Sequence, residues 1–283
     1  SCPKKNKIVT SKVEHPAVLN VAKELERRGC RISYIPVDSH GRLDMRRLEE
    51  AIDEETALVS IMWANNEIGN IYQVEDIAAI AHKYGALFHT DAVQAVGKVP
   101  IDLDHSVIDM LSISGHKLHA PKGVGVLYVR RGQRFRPFMV GGHQENGRRG
   151  GTENVAGIVG LGKAAELAMA DMAYENTTVM ALRDRLEKGI AARIPMIRIN
   201  GDVSSRLPNT SSISFEFIEG ESILMLLDQH GICASSGSAC TTGSLEPSHV
   251  LRAMGLPYTA AHGTIRFSLS RYNTEQEVDY VIE

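Results

Sequence analysis

The segment from Asp109 to Lys117 places a hydroxyl, an imidazole and an amine side by side at the end of a short apolar stretch. The apolar residues predict a strand, and the Ser-Gly-His-Lys sequence at 114–117 predicts the turn that follows it. Lys117 can form a Schiff base with an aldehyde cofactor there, while Ser114 and His116 hydrogen-bond a phosphate group. A lysine at a strand end is also commonly a solvated surface residue, so its neighbours in the fold decide between the two interpretations.

The first half of the chain predicts the sheet that would provide those neighbours. From residue 7 to about residue 130, short apolar stretches alternate with amphipathic ones. This alternation predicts an α/β fold in which a mostly parallel sheet has helices on both faces. The predicted strands cover residues 8–13, 31–37, 57–63, 86–89, 110–113 and 125–129. The predicted helices cover residues 45–52, residues 74–84, and a stretch that begins at Pro16 and stops at Gly29.

The second half predicts a smaller α+β domain. A glycine-rich, basic connection at residues 141–151 precedes Thr152, which is expected to cap a long helix that continues to about Ala173. A second helix is expected at residues 179–192, and residues 235–248, rich in serine, glycine and threonine, predict a loop. The remaining predicted strands cover 197–199, 211–217 and 264–270, and the remaining helices cover 221–230, 250–254 and 275 onward.

Polar residues follow four of the predicted strands at one edge of the sheet. His15 follows the first strand, residues 65–67 the third, Asp91 and Gln94 the fourth, and residues 114–117 the fifth. Ligands of open parallel sheets bind beyond the carboxyl ends of the strands, so these side chains are expected to line one site. They match what pyridoxal phosphate requires, which is a lysine, an acid for the pyridine nitrogen, phosphate donors and a ring-stacking partner.

Each of these residues also has an ordinary structural interpretation. Asp91 suits the pyridine nitrogen, where a carboxylate keeps the ring protonated, but aspartate is also a common helix N-cap. Gln94 can reach the ring hydroxyl or stay solvated. His15 can stack on the ring and move protons near neutral pH, or cap the helix that begins beside it. Asn66 can hydrogen-bond the cofactor hydroxyl or the substrate, or serve as a turn residue.

Two residues late in the chain extend the candidate site. Arg266 alternates with apolar residues in a predicted strand, so it can grip a substrate carboxylate bidentately or remain an exposed edge arginine. Cys240 lies among small polar residues, which predicts an exposed thiol that is a candidate nucleophile. Cys233 follows an apolar helix and is expected to be buried in apolar packing instead.

Composition sets broad limits on function. The chain has 283 residues, 43% of them hydrophobic, and a net charge of -3, which gives no electrostatic argument for nucleic acid or an anionic membrane. It has no apolar run long enough to span a bilayer and no basic-then-apolar leader, so we expect a soluble, cytoplasmic protein. Its four cysteines form no Cys-x-x-Cys pair, which argues against a disulfide framework and against a zinc site.

Seven segments together identify a family. Over almost its whole length the chain resembles the pyridoxal-phosphate-dependent cysteine desulfurases of the NifS and IscS type, and it leans toward the NifS-like branch. The segments are Glu14-His-Pro-Ala-Val, Asn65-Asn-Glu-Ile-Gly, Asp91-Ala-Val-Gln, Ser114-Gly-His-Lys, Ser235-Ser-Gly-Ser-Ala-Cys-Thr, Leu245-Glu-Pro-Ser-His-Val-Leu-Arg and Ile265-Arg-Phe-Ser-Leu-Ser-Arg-Tyr. The resemblance implies a fold-type I pyridoxal-phosphate enzyme, with a large cofactor-binding domain at residues 1–165 and a small α+β domain at 166–283.

The resemblance also implies a role for each candidate residue. Lys117 would bind pyridoxal phosphate covalently, His15 would stack on its ring, and Asp91 would pair with the ring nitrogen. Asn66 and Gln94 would hydrogen-bond the ring hydroxyl region, and Ser114 and His116 would hydrogen-bond the phosphate. Arg266 would bind the substrate carboxylate, with Asn66 beside it, and Cys240 would receive the sulfur. Thr152 matches a threonine that in relatives reaches the phosphate of the neighbouring subunit, which implies a homodimer with shared active sites.

The implied reaction converts L-cysteine to L-alanine and leaves the sulfur as a persulfide on Cys240, for transfer to an acceptor or scaffold protein of iron–sulfur cluster assembly. The alternatives are selenocysteine cleavage, another β-lyase or aminotransferase reaction, and a non-catalytic scaffold. The chain starts without methionine and stops within a helical pattern. We therefore expect it to lack segments at both ends, among them a threonine-bearing turn that completes the phosphate site in relatives.

Overall fold

The computed structural model describes residues 5–134, 136–237 and 247–283. Within these ranges the chain forms two sheets, each packed against its own apolar core. The predicted nucleophile, Cys240, lies outside the described residues. No helix within the described ranges is both long and apolar enough to cross a membrane.

The first sheet carries most of the predicted site. Its strands are β1 (Lys7–Ser11), β2 (Arg31–Ile35), β3 (Thr56–Ser60), β4 (Leu87–Asp91), β5 (Met110–Ser114) and β6 (Gly125–Val129). Their order is β2-β1-β3-β4-β5-β6, and every neighbouring pair is parallel except β5 and β6. The prediction of a mostly parallel sheet is confirmed. Strand β6 runs antiparallel because residues 115–124 are too few for the crossover that a parallel return requires.

Three helices follow the first three strands of this sheet along the chain. They are α1 (Pro16–Arg27), α2 (Met45–Ala51) and α3 (Val74–Lys83). Proline at the first position starts α1 without the loss of a helical hydrogen bond. Helix α3 buries Ile77 and Ala81 in the same core as Val59 and Phe88, which come from β3 and β4. The burial of these apolar side chains fixes the strand ends at which the polar residues lie.

The second sheet belongs to the C-terminal half and is entirely antiparallel, with the order β7-β8-β10-β9. Its strands are β7 (Ile197–Ile199), β8 (Thr210–Phe215), β9 (Ser235–Ser236) and β10 (Thr264–Ser268). The helices of this half are α4 (Gln144–Gly147), α5 (Val155–Ala170), α6 (Met172–Tyr174), α7 (Met180–Arg193), α8 (Gly220–Gln229), α9 (His249–Ala253), α10 (Tyr258–His262) and α11 (Glu275–Ile282). Helix α7 buries Leu186 and Ile190 against Ile213 and Ile265 of the sheet.

Two expectations for this half were wrong. Helix α5 begins at Val155, and its N-cap is Asn154, whose Oδ1 accepts a hydrogen bond from Gly157 N at 3.1 Å. Asparagine caps a helix at least as well as threonine and lies closer to the apolar run, so Thr152 stays exposed outside the helix. Cys233 is exposed as well, because it lies in an irregular connection between α8 and β9. The predicted domain boundary at residue 165 falls within α5 and stays a prediction.

The two halves meet where residues 200–207 cross the turn that follows β3. Leu207 N donates to Gly69 O at 2.8 Å, and Asp202 N donates to the Asn70 side-chain oxygen at 2.8 Å. Arg206, in the same segment, forms two hydrogen bonds of 2.6 Å with the Glu187 carboxylate of α7. Both of these side chains are almost fully buried, at 5% and 6% exposure. The Arg206–Glu187 pair therefore fixes the crossing segment to α7.

We predict that Glu187→Ala lowers the free energy of unfolding by about 3 kcal/mol, because it leaves the Arg206 charge buried without its carboxylate. Asp279→Ala is the matched control, since it removes a two-bond pair with Arg185 of the same helix that is exposed to solvent. The control variant should lose about 1 kcal/mol or less. Urea unfolding of the two variants measures both values, and similar losses would contradict the prediction.

Candidate active site

A cavity of about 660 Å³ lies over β1, β3, β4 and β5, beside the start of α1. Its wall includes most of the residues predicted to form the site. These are His15, Asn66, Asp91, Gln94, Ser114, His116, Lys117 and Arg266. Thr152 does not line this cavity. The structure thus brings together side chains that are separated by about 250 positions in the sequence.

Lys117 lies in a single turn of 3-10 helix, Gly115–Leu118, directly after β5. Only glycine fits at position 115, since a Cβ atom there would lie 2.9 Å from Val124 Cγ1 and 3.0 Å from Val124 O. The turn ends at His119, which has a left-handed backbone with φ of 61°. Leu118 packs with Leu161 of α5 in a small apolar cluster. These contacts fix the backbone of the turn, from which Lys117 reaches the cavity.

The floor of the cavity contains a row of hydrogen-bonded side chains from three neighbouring strands. His89 Nδ1 lies 2.9 Å from Ser60 Oγ on β3, and His89 Nε2 lies 2.9 Å from Ser112 Oγ on β5. Burial lowers the pKa of His89, although the nearby Asp91 carboxylate opposes this shift. The imidazole is therefore neutral near pH 7 and links the strands. Sequence reasoning missed His89, although its position two residues before Asp91 puts both side chains on one face of β4.

Asp91 ends β4 and points into the cavity. Its Oδ1 accepts a hydrogen bond from Val93 N at 3.0 Å, and its backbone oxygen accepts one from Trp63 N at 2.9 Å. The side chain thus shapes the turn that carries Gln94, instead of capping a helix. Asp91 and Gln94 both line the cavity, as the sequence predicted.

His15 serves two roles that the sequence left as alternatives. Its Nδ1 accepts a hydrogen bond from Ala17 N at 3.1 Å, which makes it the N-cap of α1. The same ring lines the cavity. Because Nδ1 accepts, the neutral ring carries its proton on Nε2. The cap therefore fixes both the orientation and the tautomer of a ring that faces the cavity.

Glu14, next to this histidine, is fully buried. Its Oε1 accepts hydrogen bonds from Ser11 Oγ at 2.7 Å and from Met62 N at 3.0 Å. Burial raises the pKa of Glu14 to about 8, although the two hydrogen bonds lower it, and the Asp91 carboxylate adds to the rise. Among the described residues, Oε2 has no hydrogen-bond partner, so the protonated form of Glu14 would carry its proton on Oε2, since Oε1 already accepts two hydrogen bonds.

Arg266 reaches the cavity from the second sheet. The predicted alternation is observed, since Ile265, Phe267 and Leu269 are buried in the second core, while Arg266 lines the cavity. Its Nη1 donates a hydrogen bond of 2.7 Å to Asn66 O. A guanidinium group from the C-terminal half therefore lies beside the turn that follows β3.

A second, polar cavity of about 370 Å³ shares Asn66, Gln94, His116, Lys117 and Arg266 with the first. Its far wall includes Lys98 and Glu175. Burial lowers the pKa of Lys98, Glu175 opposes this shift, and Lys117 adds to it. Two basic amines thus interact with each other near the candidate cofactor site. The sequence did not predict that Lys98 and Glu175 lie near this site. Glu175 belongs to a π-helical turn, Glu175–Val179, which no local sequence pattern predicts.

The side chains of the first cavity fit pyridoxal phosphate. Its volume lies within the range typical of cofactor sites. The wall offers one primary amine for the aldehyde, one carboxylate for the pyridine nitrogen, one half-buried imidazole for the ring face, and hydroxyl and imidazole donors for a phosphate. Burial lowers the pKa of His116 in the ligand-free chain, and Lys117 and Lys122 lower it further.

Comparison with known proteins identifies the family. Residues 1–281 match the class-V aminotransferases. A cysteine desulfurase of Gluconacetobacter diazotrophicus is 65% identical over 280 residues, and the cysteine desulfurase NifS of Azotobacter vinelandii is 61% identical over 280 residues. The chain belongs to the cysteine desulfurases of this family. Each comparison covers 99% of the chain and 70% of the relative.

Two solved structures agree with the fold described above. A NifS-like protein matches with a TM-score of 0.91 at 42% identity, over 98% of this chain and 73% of the other. A protein described as SspA in complex with cysteine matches with a TM-score of 0.81 at 36% identity, over 96% of this chain and 76% of the other. The fold-type I architecture expected from the sequence is confirmed.

Glu14 gives a pH-dependent prediction. Its pKa is about 8 in the folded chain, against 4.5 for an unperturbed glutamate, so folding takes up a proton between these pH values. This contribution to stability is fully present below about pH 4.5 and is lost as the pH rises through about 8. Glu14→Gln imitates the protonated carboxyl and does not titrate. The free energy of unfolding of the wild type, minus that of E14Q, should therefore fall across this range.

Urea unfolding at a series of pH values measures this difference. His89→Gln is the comparison variant with the opposite sign. Burial lowers the pKa of His89 below its ordinary value of 6.5, so the free energy of unfolding of the wild type, minus that of H89Q, should rise with pH up to about 6.5 and then stay constant. A difference between wild type and E14Q that does not vary with pH would show that Glu14 is ionised in the folded chain.

Proposed function

We propose that this cysteine desulfurase carries out its reaction in the cavity of about 660 Å³, with Lys117, Asp91 and Arg266 as its principal charged groups. The observation that supports the proposal most strongly is that a single cavity joins these three residues from two different sheets. Lysine and aspartate provide what a pyridoxal cofactor needs, and arginine provides what an amino-acid carboxylate needs.

Each wall residue has a place in cofactor binding. Lys117 would hold pyridoxal phosphate covalently, Asp91 would keep its ring nitrogen protonated, and His15 would lie against the ring. The remaining contacts would come from Asn66 and Gln94 at the ring hydroxyl and from Ser114 and His116 at the phosphate. When bound, the cofactor supplies an electron sink next to the Cα atom of the substrate.

The substrate would be held and deprotonated by the chain's own residues. Arg266 binds the carboxylate of L-cysteine, and the Lys117 amine takes the proton from Cα and returns a proton to the product. His15, with its proton on Nε2, is a second proton donor at the cavity wall.

Sulfur transfer is assigned to Cys240. Its thiolate attacks the substrate sulfur, a sulfur–sulfur bond forms, and the carbon–sulfur bond breaks with its electron pair left on the carbon fragment. Protonation of that fragment gives L-alanine, and the sulfur stays as a persulfide on Cys240. The assignment rests on the sequence of residues 235–241, since Cys240 lies outside the described residues.

We further propose that the persulfide is passed to a sulfur-acceptor or iron–sulfur scaffold protein in the cytoplasm. The support is the similarity to the cysteine desulfurase NifS of Azotobacter vinelandii. Selenocysteine is an alternative substrate, because selenium and sulfur would be attacked in the same way.

Cys240→Ala should reduce alanine formation from L-cysteine by about a thousandfold or more, because the sulfur loses its acceptor. The absorbance of the bound cofactor should not change. Cys233→Ala is the matched control, since Cys233 is the other thiol of this half and is exposed away from the cavity. Alkylation after incubation with cysteine, followed by mass spectrometry, should locate the persulfide on residue 240.

Three other outcomes would change the proposal. Release of a keto acid in place of alanine would favour an aminotransferase or β-lyase on the same fold, which needs Lys117 and Asp91 but not Cys240. Protein that stays colourless when mixed with pyridoxal phosphate would favour a non-catalytic scaffold. Turnover by C240A equal to that of the wild type would remove Cys240 from the reaction.

We also propose that the chain acts as a homodimer in which Thr152 reaches the phosphate of the partner's cofactor. Exposed apolar side chains flank Thr152 on both sides in the sequence. Phe138 is 99% exposed and Val140 is 90% exposed, and Val155 and Val159 of α5 are also exposed. Exposed apolar clusters of this kind commonly mark subunit interfaces.

Phe138→Asp should therefore shift the protein from dimer to monomer in analytical ultracentrifugation, because a buried carboxylate disfavours the interface. Met225→Asp is the matched control, since Met225 is an exposed apolar residue of α8 and should leave the dimer intact. A wild-type protein that sediments as a monomer, or dissociation by both variants, would contradict the proposed interface.

A further inference from the structure

Glu67 is a buried carboxyl group on the turn that follows β3, with 1% of its surface exposed. The turn is held by Asn65, whose Oδ1 accepts hydrogen bonds from Glu67 N at 2.9 Å and from Ile68 N at 3.0 Å. The other end of the Asn65 amide donates to Val13 O at 2.9 Å. The backbone of Glu67 is therefore fixed to the first sheet, and its side chain lines the larger cavity.

The Glu67 carboxylate contacts the C-terminal half of the chain. Ser248 Oγ donates a short hydrogen bond to Glu67 Oε2. The same hydroxyl accepts a hydrogen bond from Val250 N at 3.1 Å and caps α9. Gly237 lies next to the same oxygen, since a Cβ atom there would come 3.3 Å from Glu67 Oε2 and 3.6 Å from Ser248 Cβ. The carboxylate is thus enclosed by two segments of the C-terminal half.

Arg266 is the basic group that interacts with Glu67. Burial raises the pKa of Glu67 to about 7, while the hydrogen bond from Ser248 and the charge of Arg266 lower it. The neighbouring residue, Asn66, accepts the 2.7 Å hydrogen bond from Arg266 Nη1 through its backbone oxygen. Asn66 therefore holds the guanidinium group through its carbonyl, and the next residue of the turn, Glu67, lines the same cavity and attracts that group through its charge.

We propose that Glu67 is a positioning residue that orients Arg266 for the substrate carboxylate. The proposal rests on the proposed function, in which Arg266 binds that carboxylate. A guanidinium group binds a carboxylate best when two parallel N–H bonds face it. An arginine side chain has many rotamers, so its affinity for the substrate depends on being held in one of them beforehand. The turn at residues 66–67 provides that restraint from the opposite domain.

Two other roles for Glu67 predict different behaviour. If Glu67 competes with the substrate for Arg266, removal of its charge should tighten carboxylate binding. If Glu67 only anchors Ser248 and α9, its removal should affect every ligand of the cavity alike. The three roles can be separated with ligands that differ in their carboxylate.

The decisive variant is Glu67→Gln in the cofactor-loaded protein, because the amide oxygen of glutamine still accepts the hydrogen bond from Ser248 but carries no charge for Arg266. L-alanine and cysteamine are the two probes, since cysteamine has the amine and thiol of cysteine but no carboxylate. Their affinities are measured from the change in cofactor absorbance. We expect the dissociation constant of L-alanine to rise about tenfold in E67Q and that of cysteamine to stay within about twofold.

Ser248→Ala is the matched control for the structural role. It removes the hydrogen bond to Glu67 but keeps the carboxyl group beside Arg266. Because that hydrogen bond lowers the Glu67 pKa, the wild type and all variants are measured at one pH, at least two units above the wild-type pKa of about 7, so that Glu67 is ionised. S248A should lower the melting temperature and leave the affinity for L-alanine unchanged. An equal loss of L-alanine affinity in S248A and E67Q would overturn the proposal in favour of the anchoring role.

Steady-state kinetics and Arg266 itself complete the test. E67Q should raise KM for L-cysteine about tenfold with kcat changed less than about twofold, as expected for lost binding energy. Arg266→Lys should weaken L-alanine and not cysteamine, and E67Q should have little further effect in that background. Unchanged or tighter L-alanine binding in E67Q overturns the role of Glu67. If R266K also leaves L-alanine binding unchanged, the assignment of Arg266 fails instead.

Discussion

The parallel register of β3, β4 and β5 determines where the polar groups of the cavity lie. Ser60 pairs with His89, and Asp91 pairs with Ser112, so the hydrogen bonds between His89 and the two serines follow from the strand alignment. A shift of one residue in β4 would turn His89 and Asp91 to the other face of the sheet. Phe88 opposes such a shift, because it would leave the apolar core that it shares with Val59 and Leu111 and turn toward the polar cavity. Apolar packing on one face thus positions the charged groups on the other.

The second constraint is the joint between the two halves. The cofactor groups come from the first sheet, whereas Arg266 comes from the second and lies against the turn at residues 65–67. Buried polar residues concentrate at this joint, among them Asn70, Glu67 and the Arg206–Glu187 pair. Such groups cost free energy unless they are fully hydrogen-bonded, so they tolerate few arrangements of the two halves. The position of the Arg266 guanidinium relative to the Lys117 amine therefore depends on the hydrogen bonds of these buried residues.

The sequence predicted the parts of the site that depend on local periodicity. Lys117, Asp91 and His15 follow strands that are apolar enough to recognise, and Arg266 lies in a strand with clear alternation. It did not predict groups whose surroundings come from distant segments. Thr152 and Asn154 are both good caps, and only the packing of α5 decides between them. Cys233 follows an apolar helix but lies in an irregular connection. Glu67 was expected at the edge of the sheet with Asn65 and Asn66, but no role followed for it, because Ser248 and Arg266 lie about 180 and 200 positions away.

The hydrogen bond between Arg266 and Asn66 joins residues 200 positions apart, and this separation has a consequence for the order of folding. Contacts between distant segments must overcome the entropy of closing a large loop and tend to form late. The parallel sheet, with Lys117 and Asp91, needs only the first half of the chain. A nascent or partly folded chain would therefore position Lys117 and Asp91, which bind the aldehyde cofactor, before it positions Arg266, which binds the amino-acid substrate. During folding, the chain would then become able to bind the cofactor before it becomes able to select the substrate.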